Sequence, residues 1–191
     1  MCSSDLRPAA IGVGFGGPVD FRTGEICCSH QIEGWSQFPL GEWLKKISGV
    51  PVVVENDANT ATLGEAVRGA GVGFNPVFYM NMGSGVGGGV VVDGRVYHGA
   101  KPGEVEIGHV RLDRVGGTVE SRCSGWAVDA RIRRLRGTEP SSLIVRLTQG
   151  MNGGEAKQVP AALAQGDPTA HRVLDEVAED LAFAISHAVH L

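Results

Sequence analysis

The stretch MNMGSGVGGGVVVDGRVYHG, Met80–Gly99, carries six glycines between Gly83 and Gly94. A backbone so bare can approach a ligand closely, and phosphate is the usual guest. The pattern G-x-G-x-x-G matches at Gly83, Gly85 and Gly88, and again at Gly12, Gly14 and Gly17. A dinucleotide-binding fingerprint needs a helix directly after the glycines, inside a strand–helix–strand unit. Neither match has one. Pro18-Val19-Asp20 follows Gly17 as an extended turn, and VVVDGRVYHG follows the second run as a hairpin with Asp93-Gly94 at its tip. The segment Gly83–Gly89 is therefore expected to join two strands of an antiparallel ribbon, Val77–Met82 and Gly89–Val92, with Arg95–His98 returning as a third. Its successive amides can form an anion-binding concavity. A tight turn whose glycines only relieve crowding is the other reading.

The rest of the chain reads as strands first and helices later, an α/β arrangement with an appended helical layer. Ala10–Phe15 is an expected strand leading into a turn at Gly16-Gly17-Pro18. Pro39–Ser48 is an expected helix with Leu40, Trp43, Leu44 and Ile47 on one side. Val50–Val54 is a short buried strand. A helix follows it, with Asn56 or Asp57 as the cap. Later helices are expected at Ser124–Leu135, Ser141–Thr148, Glu155–Ala164 and Pro168–Leu191, the last two parted by Gly166-Asp167-Pro168.

Composition removes several function classes. A net charge of −4 gives no electrostatic footprint for nucleic acid. No apolar run is long enough to span a bilayer, so no membrane partner is expected. Cys2, Cys27, Cys28 and Cys123 suggest no disulfide framework, which makes a reducing cytoplasm the default. Residues 1–6, MCSSDL, read as the translated tail of a sequencing adapter and are not expected to be native. Both ends look cut in mid-domain.

Two polar clusters carry chemistry. VENDANTATLGE delivers Glu55, Asn56, Asp57 and Asn59 at the carboxyl end of a strand, where ligands of α/β sheets sit. Asp57 there can accept a hydroxyl proton as a general base, and Asn56 can hydrogen-bond a neighbouring hydroxyl. Either residue can equally serve as a helix cap. In GEVEIGHVRLDRVGGTVESRCSG, Glu104, Glu106, His109 and Glu120 suit a polyhydroxylated ligand, which needs many directed hydrogen bonds. Glu104 also reads as a solvated surface charge. A structural zinc site is the rival there, but it wants four N or S ligands, and this stretch has one cysteine.

The order GFGGPVD, VENDANTATLGE, NMGSGVGGGVVVDG, GEVEIGH, TVESRCSG resembles the ROK family of sugar kinases and sugar-responsive repressors, across nearly all of the chain after residue 8. The resemblance implies an actin-like ATPase (ribonuclease H-like) fold: two α/β domains with sugar and ATP in the cleft between them. This chain would be an incomplete version: residues 1–60 a partial small domain and 61–191 a large domain with a helical C-terminal layer. By resemblance Asp57 is the catalytic base that takes the sugar hydroxyl proton. Asn56, Glu106, His109 and Glu120 are sugar ligands, and Gly16 and Gly17 form a turn close to the sugar. Gly83, Ser84 and Gly85 face the ATP phosphates, with Ser84 where the family usually has threonine. The implied activity is glucokinase-like, ATP- and Mg²⁺-dependent phosphorylation of a hexose or amino sugar. The alternative is a sugar-sensing repressor whose DNA-binding region lies outside this chain. A homo-oligomer is implied for the complete protein, and no ATP turnover is expected of residues 1–191 alone.

One departure stands out. The family commonly carries C-x-C-G-x-x-G-C before the glutamate that matches Glu120, and these cysteines bind zinc with the E-x-G-H histidine. Here the segment after His109 is VRLDRVGGTV, and Thr118 stands where the last cysteine would be. Zinc is therefore not expected, and His109 needs another partner to fix its ring.

Overall fold

The computed structural model describes residues 8–29, 32–99 and 105–190. Residues 1–6, expected to be non-native, lie outside them. The described strands are β1 Ile11–Phe15, β2 Val19–Asp20, β3 Glu25–Ile26, β4 Val52–Asn56, β5 Val77–Met82, β6 Val86–Val92 and β7 Arg95–Val96. The helices are α1 Leu40–Ser48, α2 Asp57–Arg68, α3 Val119–Cys123, α4 Gly125–Leu135, α5 Leu143–Leu147, α6 Val159–Leu163 and α7 Pro168–Val189. The chain divides into two units: Met1–Tyr79 with Gly88–Val105, and Met80–Gly87 with Glu106–Leu191. The boundary expected at residue 60 falls inside the continuous helix α2.

In the first unit, β1 and β4 pair in parallel, from Ile11↔Val52 to Phe15↔Asn56. A parallel pair needs a crossover, which the β2–β3 hairpin and α1 supply. Phe15, Val19, Ile26, Leu40 and Val54 form the buried core, with Val13, Trp35, Phe38, Leu44 and Val52 packed against it. The helix expected at Pro39–Ser48 is present, but its apolar side divides. Leu40 is buried, whereas Trp43 and Ile47 are 45% and 62% exposed.

The ribbon has the strand order β5-β6-β7. Between β5 and β6 lie only Gly83, Ser84 and Gly85, too short a link for anything but an antiparallel hairpin. At the second turn Asp93 and Gly94 have φ of 50° and 74°, the left-handed pair a two-residue hairpin turn requires. The first turn is shorter than the expected Gly83–Gly89, because Gly87–Gly89 belong to β6. Gly89 shows why glycine suits a strand here. A Cβ at this position would lie 2.4 Å from Thr62 Oγ1 and 2.7 Å from Asn59 Oδ1, so α2 packs directly on the strand backbone.

The second unit is built from helices around one core that includes Val86, Ile107, Val119, Cys123, Ile132, Ile144 and Val173. Fully burying a side chain such as Ile132 contributes about 1.5–3 kcal/mol. Side chains cap the unit's two longest helices. Ser124 caps α4 by accepting the Ala127 N–H. Asp167 caps α7 by accepting the Thr169 N–H, with Pro168 in the first turn. The expected helix at Glu155–Ala164 begins as a 3-10 turn, Glu155–Gln158, before α6.

Glu155 is a fully buried carboxylate. Its oxygens meet Arg133 Nη1 at 2.7 Å and Arg136 Nη2 at 3.2 Å. Burial pushes its pKa up, but the hydrogen bond from Arg133, backbone donation and the Arg133 charge together hold it below the ordinary value. A depressed carboxyl pKa stabilises the fold fully above the unfolded value of 4.5, and that contribution is lost as pH falls through the folded value. The stability gap between wild type and Glu155→Gln is therefore expected to be constant above about pH 5 and to narrow below 4.5 in urea titrations. A gap that stays constant into acid would contradict this.

Candidate functional site

The sequence-predicted residues fall into two groups, one in each unit. In the first, β4 ends at Asn56 and α2 begins at Asp57. The cap question resolves in favour of Asn56, whose Oδ1 accepts the N–H groups of Ala58 and Asn59 at 2.9 and 3.1 Å. Asp57 is exposed at the first helical position, its Oδ1 accepting the Ala58 N–H at 2.9 Å. Such a cap is worth about 1 kcal/mol, so Asn56 sets the place where α2 starts and Asp57 emerges.

The turn Gly16-Gly17 is tied to the same corner. Asn56 Nδ2 donates to the Gly17 carbonyl at 3.1 Å, and an amide nitrogen has a second N–H to offer. Gly17 has φ +155°, and a Cβ there would crowd Cys28 O at 3.1 Å and the Phe15 ring at 3.2 Å. Glu55 braces the corner from its other side. Its Oε1 accepts from Asn56 N at 2.9 Å and Asn59 Nδ2 at 3.1 Å. Its Oε2 lies 2.6 Å from His98 Nε2. A carboxylate only accepts, so the ring nitrogen donates. The imidazole stacks on Phe21, with ring centroids 3.6 Å apart. Sequence reasoning missed His98, because 43 residues separate it from Glu55 and no spacing rule links them.

In the second unit the glycine turn meets α3 and α4. Glu120 Oε2 accepts the Val86 N–H at 3.0 Å, so an expected sugar ligand is bonded to the end of the expected phosphate loop. A Cβ on Gly85 would lie 2.5 Å from that same oxygen. The start of α4 is fastened to the turn as well: Gly125 N–H donates to Gly83 O at 2.9 Å and Trp126 N–H to Ser84 O at 3.3 Å. Gly83 N–H donates to Gly85 O at 2.9 Å, which fixes the turn internally. Glu106 is half-buried just before the short 3-10 turn Ile107–His109, and His109, its last residue, is exposed. Gly108 between them is buried, and a Cβ there would sit 2.2 Å from the Val86 carbonyl oxygen. The glycine of E-x-G-H is thus a packing requirement against β6. Glu104 lies outside the described residues.

Between His109 and Gly125 in the chain the only thiol or imidazole is Cys123, whereas a structural zinc site wants four N or S ligands. Thr118 caps α3, its Oγ1 accepting from Ser121 N while Ser121 Oγ accepts from Thr118 N. Cys123 is fully buried in the core, with Sγ 3.9 Å from Val177 O and its thiol pushed up by burial. Among the described residues, no three His, Cys, Asp or Glu side chains are grouped to hold a metal.

The ROK family model matches residues 4–191. The glucokinase of Halalkalibacterium halodurans is 36% identical over 189 residues, which cover 93% of this chain and 57% of that protein. The DNA-binding transcriptional repressor Mlc of Escherichia coli is 34% identical over 110 residues, covering 58% of this chain and 27% of the repressor. Among solved structures, a ROK family glucokinase from Streptomyces griseus in complex with glucose and AMPPNP superposes with a TM-score of 0.80 at 30% identity. That superposition covers 95% of this chain and 61% of the neighbour. The chain spans about three fifths of the length of the glucokinases it matches.

Proposed function

The chain belongs to the ROK family and has the actin-like ATPase fold of its kinases, and from that premise we propose that the complete protein is an ATP-dependent sugar kinase. The observation that carries the proposal is the β4–α2 corner: Asn56 holds the cap and Asp57 stands exposed beside it. A general base must reach the proton it takes, and a carboxylate buried in a cap could not. The reach of the glucokinase likeness, 93% of this chain against 58% for the repressor, supports the same choice.

Asp57 orients a sugar hydroxyl and accepts its proton as the oxygen attacks the γ-phosphorus of ATP; the bond from that phosphorus to the β–γ bridging oxygen breaks and ADP leaves. Asn56, Glu106, His109 and Glu120 bind the sugar hydroxyls, and Gly16 and Gly17 bring bare backbone close to the ring. The turn at Gly83, Ser84 and Gly85 faces the phosphates. Positioning and electrostatics supply most of the rate in such a transfer. Mg²⁺ bound with ATP would supply charge neutralisation during the transfer. Zinc has no part in this reading, in keeping with the single thiol between His109 and Gly125. The substrate is a hexose or an N-acetylated amino sugar. The setting is cytoplasmic and the complete protein a homo-oligomer. Among the described residues no helix is long and apolar enough to cross a membrane.

The likeness to Mlc supports a second reading, a sugar-sensing repressor. A sugar panel with ATP, read as sugar phosphate formed by the complete protein, separates the two. The kinase reading predicts phosphorylation of at least one hexose. Sugar-dependent DNA binding without turnover would establish the repressor.

A further inference from the structure

We propose that an ion-paired clasp of Asp113, Arg122 and Asp180 closes the loop between His109 and Glu120 without a metal, and so positions both residues. The consequence for sugar binding rests on the kinase reading; the closure does not.

The loop Val110–Thr118 leaves the Ile107–His109 turn and returns one residue before α3. Its two arms are laced together. Val119 N–H donates to Val110 O at 3.0 Å, Leu112 N–H donates to Gly117 O at 2.8 Å, and Arg111 and Thr118 form an antiparallel bridge. Asp113 organises the tip. Its Oδ1 accepts the N–H groups of Val115 at 2.8 Å and Gly117 at 2.9 Å. Its Oδ2 takes the Arg122 guanidinium, which also reaches Asp180 Oδ1 on α7 at 3.3 Å. One carboxylate therefore gathers two loop amides and anchors them to two helices of the core.

The glycines of the tip fit this device. Gly116 has φ +103°, a conformation L side chains rarely adopt. A Cβ on Gly117 would lie 2.6 Å from both Arg122 Nη2 and Asp113 Oδ2, in the space the ion pair occupies. The Gly117 N–H, with those of Val115 and Gly116 and the Arg122 charge, holds the Asp113 carboxyl below its usual range although burial opposes them. Exposed ion pairs alone contribute little. Here the carboxylate also satisfies backbone donors that the turn would otherwise leave to water.

Position follows from closure. His109 immediately precedes the loop, and Glu120 lies two residues before Arg122 and holds the Val86 N–H. In a metal-bound loop a cation would set that spacing; here side chains of the same unit set it.

The test uses the complete protein as wild type, Asp113→Ala and Asp113→Asn. Hydrogen exchange of the 110–118 segment is expected to be about tenfold faster in Asp113→Ala, equivalent to about 1.4 kcal/mol, and unchanged by a zinc chelator in wild type. Asp113→Asn, which keeps an acceptor for the loop amides, is expected to fall between them. Sugar Kd by calorimetry is expected to rise about tenfold in Asp113→Ala, with kcat at saturating sugar within about twofold of wild type. Unchanged exchange in Asp113→Ala, or exchange and melting that respond to chelation with zinc released, would overturn the metal-free clasp. Faster exchange with unchanged sugar affinity would overturn the positioning role. A wild type that neither binds nor phosphorylates any sugar would count against the kinase reading and the positioning role together, while the exchange data still decide the closure.

Discussion

Asp57→Asn in the complete protein is expected to lose sugar phosphorylation by at least about 10²–10⁴-fold, the usual worth of general-base catalysis, while sugar affinity changes little. The substitution is nearly isosteric. Its amide oxygen can still accept the Ala58 N–H that Asp57 Oδ1 accepts at 2.9 Å. The start of α2 does not depend on Asp57, because Asn56 caps it. What the amide cannot do is take up the sugar proton. Steady-state kinetics beside calorimetric sugar binding separate the two effects. Near-wild-type turnover would remove Asp57 from the mechanism, and lost binding with normal folding would recast it as a ligand only.

Gly108→Ala is expected to be among the most damaging single-methyl additions to the second unit. The added carbon would sit 2.2 Å from the Val86 carbonyl oxygen and 3.2 Å from its carbon. Both are backbone atoms of β6, so no side-chain rotamer change relieves the overlap. Overpacking usually costs about 1–3 kcal/mol, and a backbone obstacle puts this case at about 3 kcal/mol or more. The strain falls between Glu106 and His109 and against the residue whose N–H Glu120 holds, so sugar affinity should fall with stability. Gly64→Ala in the middle of α2, with nothing within 4 Å of its added carbon, is the control. It should gain roughly 0.5–1 kcal/mol. Equal urea midpoints for Gly108→Ala and wild type would show that β6 is not packed against the E-x-G-H turn as described.

The parts of this architecture that were legible in the sequence are those written in local chemistry. Asp93-Gly94 marked a hairpin turn because few other pairs adopt two positive φ angles in succession. The polar run after β4 marked a helix start, though sequence alone left the cap between Asn56 and Asp57. The strand β5 was readable to its last residue, Met82. What stayed hidden depends on tertiary contact. Gly87 and Gly88 looked like loop, and the packing of Thr62 and Asn59 on Gly89 explains why glycine suits this strand. Strands β2 and β3 are two residues each, too short for a periodic signal. Trp43 and Ile47 matched the helical stripe of α1, yet both are exposed. The pairs His98–Glu55 and Asp113–Arg122 join side chains whose separations in sequence follow no motif. The Asp113 clasp also occupies a segment where family likeness directed attention to missing cysteines and away from the residues present.

On the proposed function, the complete protein moves a phosphoryl group from ATP to a sugar with Asp57 as the base. The most direct measurement is transfer of label from γ-labelled ATP to a panel of hexoses and N-acetylated amino sugars, with wild type and Asp57→Asn side by side. The prediction is a labelled sugar phosphate from wild type for at least one sugar, and loss of that product in Asp57→Asn with sugar binding kept. Saturable sugar binding by wild type, with no labelled sugar formed from any member of the panel, would contradict it.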